Sequence, residues 1–331
     1  MTAFCLCAGE PQAFTTLLIP SRPDIERPAP PADKAPPQDK ANPAPAAEKE
    51  AEKQPADADK AGQPAAQNAD RAQSDPQKAG GEPQAPEAEA AKKPEQIDQE
   101  IDVLMSLMRP ADRTAEAMDM PQLFAVLRFD ADTPVRDGTP QPERRDLLGD
   151  VEEILYMDKK AWGANVALEH PGLHHFILET RPRWNEAEGI FIQNFVKTIV
   201  PVYGVEDGWH EAAGQHFEIV PLTRPFGLTS PSVFSARALL DGKAAANVPV
   251  VMSRINTDGQ KFLTPWHREL AARTDAAGQF SFVLNRPGWW CCEAMTEGSP
   301  LKGPDGQPRR LRMSALFWLY VDGTEAAPKK R

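Results

Sequence analysis

The chain has 331 residues and a net charge of −11, with 37 lysines and arginines against 48 aspartates and glutamates. An acidic protein without a basic stripe is poorly suited to bind nucleic acid or an anionic membrane surface. No apolar run approaches the roughly 18 residues that a membrane-spanning helix needs. We therefore expect neither a nucleic-acid partner nor a transmembrane helix.

The first 13 residues have the composition of the end of an export signal. "MTAFCLCAGEPQAF" contains a short run of apolar and small residues, without the basic start and longer apolar centre of a complete signal. We interpret residues 1–13 as a signal-peptide remnant that includes Cys5 and Cys7. The protein is accordingly expected in the periplasm.

The stretch from residue 22 to residue 96 predicts a disordered spacer. Ile25 is its only large apolar side chain, and 14 of the 34 prolines lie in it. Such a segment cannot bury enough apolar surface to offset its backbone entropy. Its Ala, Pro, Lys and Glu residues are typical of a polar, partly polyproline II spacer.

Alternating apolar residues predict strands on both sides of the spacer. Residues 14–21 are expected to pair with the strands beyond it, because the entropy cost of closing a long loop grows only logarithmically with its length. Further strands are predicted at 101–108, 123–130, 161–169, 173–180 and 190–203. The segment 146–159 has room for a helical turn, which Gly149 disfavours.

A second group of strands follows a linker at about residues 210–214. These strands are predicted at 216–223, 232–243, 248–255, 279–284, 289–295 and 311–322. Gly and Asp-Gly turns between them are typical of an antiparallel β-sandwich. We predict an all-β fold of two antiparallel β-sandwich domains (Ig-like or prealbumin-like), 14–21 plus 97–210 and 214–323, with a basic tail at 324–331.

The sequence Trp289-Trp290-Cys291-Cys292 raises the question of a reactive or metal-binding thiol pair. Neighbouring side chains of a strand point to opposite faces, so the two cysteines cannot hold one metal ion. A disulfide between neighbours is strained, and the two-residue spacer of redox and zinc motifs is missing. We predict two buried, free cysteines, with an exposed thiol or an intermolecular bridge as the alternative.

Several phrases of the sequence resemble one protein family. They are "FEIVPLTRPFGL" (217–228), "LLDGK" (239–243) and "TDAAGQFSFVLNRPGWW" (274–290), supported by "RPRWNEAEGIFIQNFVKTIV" (181–200), "GVEDGW" (204–209) and "TTLLIPS" (15–21). They are similar to exported bacterial proteins described as periplasmic components of cobalt and nickel uptake systems. The resemblance implies an all-β protein that binds, presents or senses Ni²⁺ or Co²⁺ beside a membrane transporter.

The histidines that the resemblance implies are replaced in this sequence. One position is Ala13, next to Phe14, and the other is Arg109, which would repel a cation.

Three other histidines, His170, His174 and His175 in "EHPGLHHFILE", form the predicted metal site, because neutral imidazoles suit nickel, cobalt or zinc. In a strand, at most one of His174 and His175 shares a face with His170 or Glu179. The alternative is that these side chains are ordinary core or surface histidines. Each of His210, His216 and His267 stands without a comparable cluster.

The functional expectation is binding without catalysis. No Gly-rich phosphate loop, His-Glu-x-x-His, Gly-x-Ser-x-Gly or Cys-x-x-Cys pattern occurs in the sequence. We predict a periplasmic accessory of nickel or cobalt uptake. The alternative is a cell-envelope binding or structural module that has lost the metal site and contacts an envelope protein. A hydrolase or carbohydrate-binding module would instead use Trp184, Trp209, Trp266 and Trp289 as a sugar platform.

Overall fold

Strands account for nearly all the regular structure, as the period-two alternation of apolar residues predicts. A computed structural model describes residues 14–28 and 95–324, which belong to one compact unit. The predicted signal remnant, most of the predicted spacer and the tail beyond residue 324 lie outside the described residues. Within the described ranges, no helix has the length and apolarity to cross a membrane.

The first twelve strands are β1 Thr15–Pro20, β2 Gln99–Arg109, β3 Thr114–Glu116, β4 Leu123–Phe129, β5 Val135–Arg136, β6 Thr139–Pro140, β7 Glu143–Asp146, β8 Glu152–Tyr156, β9 Lys159–Leu168, β10 Gly172–Glu179, β11 Arg183–Asn185 and β12 Ile190–Val202. The remaining strands are β13 Phe217–Pro221, β14 Leu228–Thr229, β15 Ser232–Leu240, β16 Lys243–Ala244, β17 Pro249–Arg254, β18 Glu269–Arg273, β19 Gln279–Leu284, β20 Gly288–Lys302 and β21 Pro308–Asp322. Two short 3₁₀ helices cover Leu148–Asp150 and Pro265–His267.

The strands form three main sheets and a small hairpin. The central sheet has the order β18-β17-β20-β21-β12-β10-β4-β7, with β11 beside β12 and β14 beside β21. A five-stranded sheet has the order β1-β2-β9-β8, with β3 beside β2. A four-stranded sheet joins β13, β16 and β19 to β15, and β5 pairs with β6. The pairing of β1 with β2 confirms that residues 14–21 join strands beyond the spacer.

Apolar side chains cover both faces of the central sheet. On β10, Leu173 and Ile177 belong to a core shared with the four-stranded sheet. Phe176 and Leu178, which point the other way, belong to a core shared with the five-stranded sheet. Each such buried side chain stabilises the fold by about 1.5–3 kcal/mol. The layered, mainly antiparallel architecture confirms the predicted all-β sandwich.

One sheet draws strands from both predicted domain ranges. Strand β12 pairs in parallel with β21, with Phe191 opposite Leu311 and Thr198 opposite Trp318. Residues on the two sides of the 210–214 linker therefore share backbone hydrogen bonds. The division into two domains at this linker stays a prediction.

The residues just after β1 are ordered, and the prediction of disorder from residue 22 is wrong for residues 22–28. Ile25 is buried and forms a parallel bridge with Val202. Its N–H donates to Pro201 O at 3.0 Å, and its own carbonyl accepts from Tyr203 N–H at 2.7 Å. The one large apolar side chain of the predicted spacer thus holds its first residues to the sheet.

An ion pair joins the two ends of the undescribed segment 29–94. The guanidinium of Arg27 donates to both carboxylate oxygens of Glu95, at 2.7 and 2.9 Å. The chain therefore leaves and re-enters the fold at neighbouring points.

Two local predictions depended on glycine. In the turn before β19, Gly278 has φ +76°, and a Cβ there would lie 2.7 Å from Ala238 O, so glycine is required. Asp275 Oδ1 accepts the N–H groups of Ala277 and Gln279 at 2.8 Å, which confirms the predicted turn. Gly149 lies inside the 3₁₀ turn, and strand β8 occupies the residues that follow.

Candidate metal centre

Strand β10 places the two adjacent histidines on opposite faces of the central sheet. His174 alternates with Phe176 and Leu178, whereas His175 alternates with Leu173 and Ile177. Both imidazoles are buried, with 3% and 0% exposure. The two imidazoles therefore cannot bind the same metal ion, as strand geometry predicts.

His175 lies in the core beneath the four-stranded sheet. Its ring centroid is 4.6 Å from that of Phe129, and the polar group beside it in the described chain is the Gly208 backbone, which forms no well-aligned hydrogen bond with either ring nitrogen. Burial, with a smaller effect of the Lys197 charge, holds the pKa of His175 well below its ordinary value. The side chain is therefore a neutral core residue, separated by the sheet from the other two histidines.

His174 has the tautomer that suits a metal ligand. Its Nδ1 lies 3.2 Å from the Gly172 carbonyl oxygen, which only an Nδ1–H group can satisfy. Burial lowers the pKa of His174 to about 4, so the ring is neutral at pH 7. The lone pair of Nε2 is then free to bind a cation.

His170 has the same local arrangement on the loop before β10. Its Nδ1 lies 2.9 Å from the Glu95 carbonyl oxygen, which again leaves the Nε2 lone pair unused. A hydrogen bond from one ring nitrogen to a backbone carbonyl is the usual way in which proteins orient a metal-binding imidazole.

His170 and His174 line one cavity of about 50 Å³ between β4, β7, β9 and β10. Glu143 and Glu169 contribute carboxylates to its wall, and Arg128 and Arg145 contribute guanidinium groups. The cavity thus brings together two of the three predicted ligands and excludes His175.

The two arginines of the cavity wall differ in their partners, since only Arg128 is paired with carboxylates in the described chain. Arg128 forms ion pairs with Asp130 and with Glu143, the latter at 2.9 Å. Arg145 donates to the Ala167 carbonyl at 2.6 Å. Over the described ranges, no three His, Cys, Asp or Glu side chains lie close enough to hold a metal ion. A third protein ligand would require a carboxylate of the wall to move, either Glu169 or the Glu143 that now pairs with Arg128.

Phe14, which follows one of the two positions that the resemblance associates with histidine, lies close to Arg109, which is the other. Thr15 pairs with Met108, and the Arg109 guanidinium lies over the Phe14 ring, 4.1 Å from its centroid. Ala13 lies outside the described residues. A guanidinium therefore occupies the end of the β1–β2 pair, where a cation would be repelled.

The comparison with protein families decides the family. A family profile with the description "Domain of unknown function (DUF4198)" matches residues 84–298. The chain belongs to the DUF4198 family. That description names no metal, ligand or activity, so a role in metal uptake is a proposal for this DUF4198 protein.

Other comparisons add little to this assignment. No curated protein matches the DUF4198 chain. Native α2-macroglobulin of Escherichia coli is 11% identical with a TM-score of 0.16, over 66% of this chain and 13% of that one. A BcpA major pilin subunit of Bacillus cereus is 10% identical with a TM-score of 0.16, over 68% of this chain and 63% of the pilin chain. At these TM-scores neither structure supports an argument about the protein.

None of the remaining histidines of the DUF4198 protein lines the cavity. His210 is exposed and 3.4 Å from Glu211. His216 is paired with Asp241 at 2.6 Å, and His267 Nδ1 lies 2.8 Å from Thr264 Oγ1.

The cysteine prediction is confirmed. Cys291 and Cys292 are buried and free, and they belong to the two different cores on opposite faces of β20. Burial raises the pKa of both thiols well above the ordinary value. Neutral, inaccessible thiols are poor nucleophiles and poor metal ligands, so the pair contributes packing.

Sequence reasoning missed a buried ion pair. Lys197 Nζ on β12 lies 3.2 Å from Glu218 Oε2 on β13, and the two side chains are 1% and 2% exposed. The carboxylate also accepts the N–H groups of Ala213 and Gly214, at 2.8 and 3.3 Å. A lysine inside the apolar run "IFIQNFVKTIVPV" was a usable signal for an unusual site.

Proposed function

We propose that the protein binds a divalent transition metal, Ni²⁺ or Co²⁺, as a periplasmic, non-enzymatic accessory of a metal-uptake transporter. One observation carries the proposal: His170 and His174 line the same cavity, and both use Nδ1 on a backbone carbonyl. Two Nε2 lone pairs in one small space are a ligand set that borderline metals prefer.

The composition of the cavity supports weak binding that allows transfer. Two imidazoles leave most coordination positions of an octahedral metal to water, or to the Glu143 carboxylate if it leaves Arg128. The Arg128 and Arg145 charges oppose a cation, which lowers the affinity further. A carrier that hands its metal to a transporter needs such a site more than a closed, four-ligand one.

The test is isothermal titration of the full, tag-free chain with NiCl₂ and CoCl₂ at pH 7.5. We expect one site with a dissociation constant on the order of micromolar. His170→Ala and His174→Gln should each weaken binding at least about tenfold, because each removes one of two ligands. His210→Ala, which removes an exposed histidine outside the cavity, should leave the affinity unchanged.

Two outcomes would contradict the metal proposal. One is the absence of binding heat for either metal in a protein whose circular dichroism shows a folded β structure. The other is equal weakening by His210→Ala, which would indicate adventitious binding to surface imidazoles. Because His174 is buried and His170 is only half-buried, the His170 variant is the decisive one if His174→Gln lowers stability.

A second candidate function, an envelope-binding module, is favoured by an exposed apolar loop. Leu263 and Trp266 are 87% and 66% exposed. The loop is nevertheless fixed: Asn256 donates to Gln260 O at 2.9 Å, and Arg268 pairs with Asp112 at 2.9 Å. A rigid loop that holds large apolar side chains in water is typical of a surface that docks into an apolar pocket of a partner.

The envelope alternative predicts that Leu263→Ser with Trp266→Ser abolishes co-purification of a specific envelope protein. Val135→Ser removes an equally exposed apolar side chain from the β5–β6 hairpin and should have no effect. Saturable binding, measured by interferometry with the purified partner, should weaken at least about tenfold in the double variant. Binding that survives the double variant would contradict this function.

A further inference from the structure

A cleft of about 850 Å³ lies along β1, β2, β9 and β8 of the five-stranded sheet. Ile19, Leu104 and Ile154 contribute apolar side chains to it, and Trp289 of β20 also lines it. Its volume lies in the range of small-molecule sites, which is roughly 300–1,000 Å³. The cleft shares no lining residue with the cavity of His170 and His174.

The strand register arranges the lining residues in two rows. Glu152 is opposite Gly163, Gly163 is opposite Leu104, and Leu104 is opposite Ile19, so these four share one face. The next row begins two residues along each strand and contains Asn165 opposite Asp102. Neighbouring strands are about 4.8 Å apart, which places the carboxylates of Glu152 and Asp102 on either side of Gly163.

Gly163 makes room for the Ile154 side chain, which lies over it. A Cβ at this position would lie 3.3 Å from Ile154 Cδ1, so a larger residue would crowd the apolar side chain and fill the cleft. A ligand in the cleft would therefore contact the apolar floor, formed by Ile19, Leu104 and Ile154, between the carboxylates of Glu152 and Asp102.

Among the described residues, the lining of the cleft is acidic and contributes no cation of its own. Asp102, Asp150 and Glu152 line it, and its described lining contains no lysine, arginine or histidine. The Asp102 carboxylate accepts Asn165 Nδ2–H at 2.9 Å, and none of the three carboxylates forms an ion pair within the described ranges. Glu153, the neighbour on the other face of β8, differs in this respect because it pairs with Lys160 at 3.0 Å.

We propose that this cleft binds an aliphatic ammonium compound, with its cationic nitrogens between the carboxylates and its methylene chain on the apolar floor. The carboxylates of Asp102, Asp150 and Glu152 favour a cation. The side chains of Ile19, Leu104 and Ile154 favour a cation that also carries a methylene chain. Trp289 adds an aromatic face of the kind that attracts ammonium groups. A small hydrated metal ion would leave the apolar floor unused.

The test is a calorimetric titration of the full chain with spermidine at low ionic strength. We expect one site with a dissociation constant on the order of 100 µM. Raising NaCl from 20 to 300 mM should weaken it several-fold, because the charges lie near solvent. 1,4-Diaminobutane should bind more weakly than spermidine, and 1,4-butanediol should not bind.

Paired variants separate this site from the general acidity of the protein. Asp102→Asn with Glu152→Gln should weaken spermidine binding about tenfold or more, as two charge contacts are lost. Glu153→Gln removes the same charge from the opposite face of the same strand and should change the affinity less than twofold. Equal effects of the two sets, or no heat at 5 mM spermidine, would overturn the proposal. Mg²⁺ that binds at the same site as tightly as spermidine would overturn the aliphatic ligand class.

Discussion

Lys197→Met is expected to lower the free energy of unfolding by about 3–5 kcal/mol. The Glu218 carboxylate, 2% exposed, would lose the Lys197 ammonium that pairs with it 3.2 Å away. Methionine keeps most of the apolar stem, so the loss reports the unpaired buried charge and not a cavity. Urea denaturation followed by tryptophan fluorescence at pH 7.5 measures the difference.

The double variant Lys197→Met with Glu218→Gln is the control for this effect. The neutral amide oxygen can still accept the Ala213 N–H, which now donates to Glu218 at 2.8 Å. Replacing a whole buried ion pair by neutral groups is often close to neutral in stability. The double variant should therefore recover most of the loss. A double variant as unstable as Lys197→Met, or a single variant that loses less than about 1 kcal/mol, would disprove the coupling.

The stability of the protein is expected to fall as the pH is lowered from about 6.5 to about 4. Burial holds the pKa of His174 at about 4, against an ordinary value of 6.5. In this window the unfolded chain takes up a proton that the folded imidazole does not, so unfolding becomes more favourable as the pH falls. The shift corresponds to about 3 kcal/mol for His174 alone, and the lowered pKa of His175 acts in the same direction.

Charged groups near the two histidines also lower their pKa values. Arg128 and Arg145 disfavour a charged His174, which Glu143 favours only weakly, and Lys197 disfavours a charged His175. Unfolding free energies at pH 6.5, 5.5 and 5.0 should decrease stepwise for the native chain. His174→Gln should show a shallower slope, because it removes one titrating imidazole. An unchanged slope in that variant would assign the acid sensitivity to other groups.

Period-two alternation is a strong signal in this sequence because most strands are buried on at least one face. It located the long strands and predicted correctly that Trp290 with Cys292, and Trp289 with Cys291, face different cores. Short edge strands such as β7 and β11 were missed. They carry mostly polar residues, as in "ERRD", and owe their conformation to pairing with β4 and β12.

The candidate metal site was predictable only in part. The opposite orientation of His174 and His175 followed from strand geometry. The cavity itself depends on β7 and β9 lying beside β10, which no local pattern reveals, and that packing brings Arg128 and Arg145 to the same wall. The acidic cleft depends likewise on the register that places Glu152 and Asp102 around Gly163.

The position of β21 has a consequence for the order of folding. This strand, the last in the described chain, lies inside the central sheet, between β20 and β12, and the latter is more than 100 residues earlier. The sheet cannot close during synthesis until residue 322 has been made. Such distant pairings raise the contact order and slow folding, so the nascent protein is expected to keep its apolar strands exposed, and to depend on chaperones, until β21 has been synthesised.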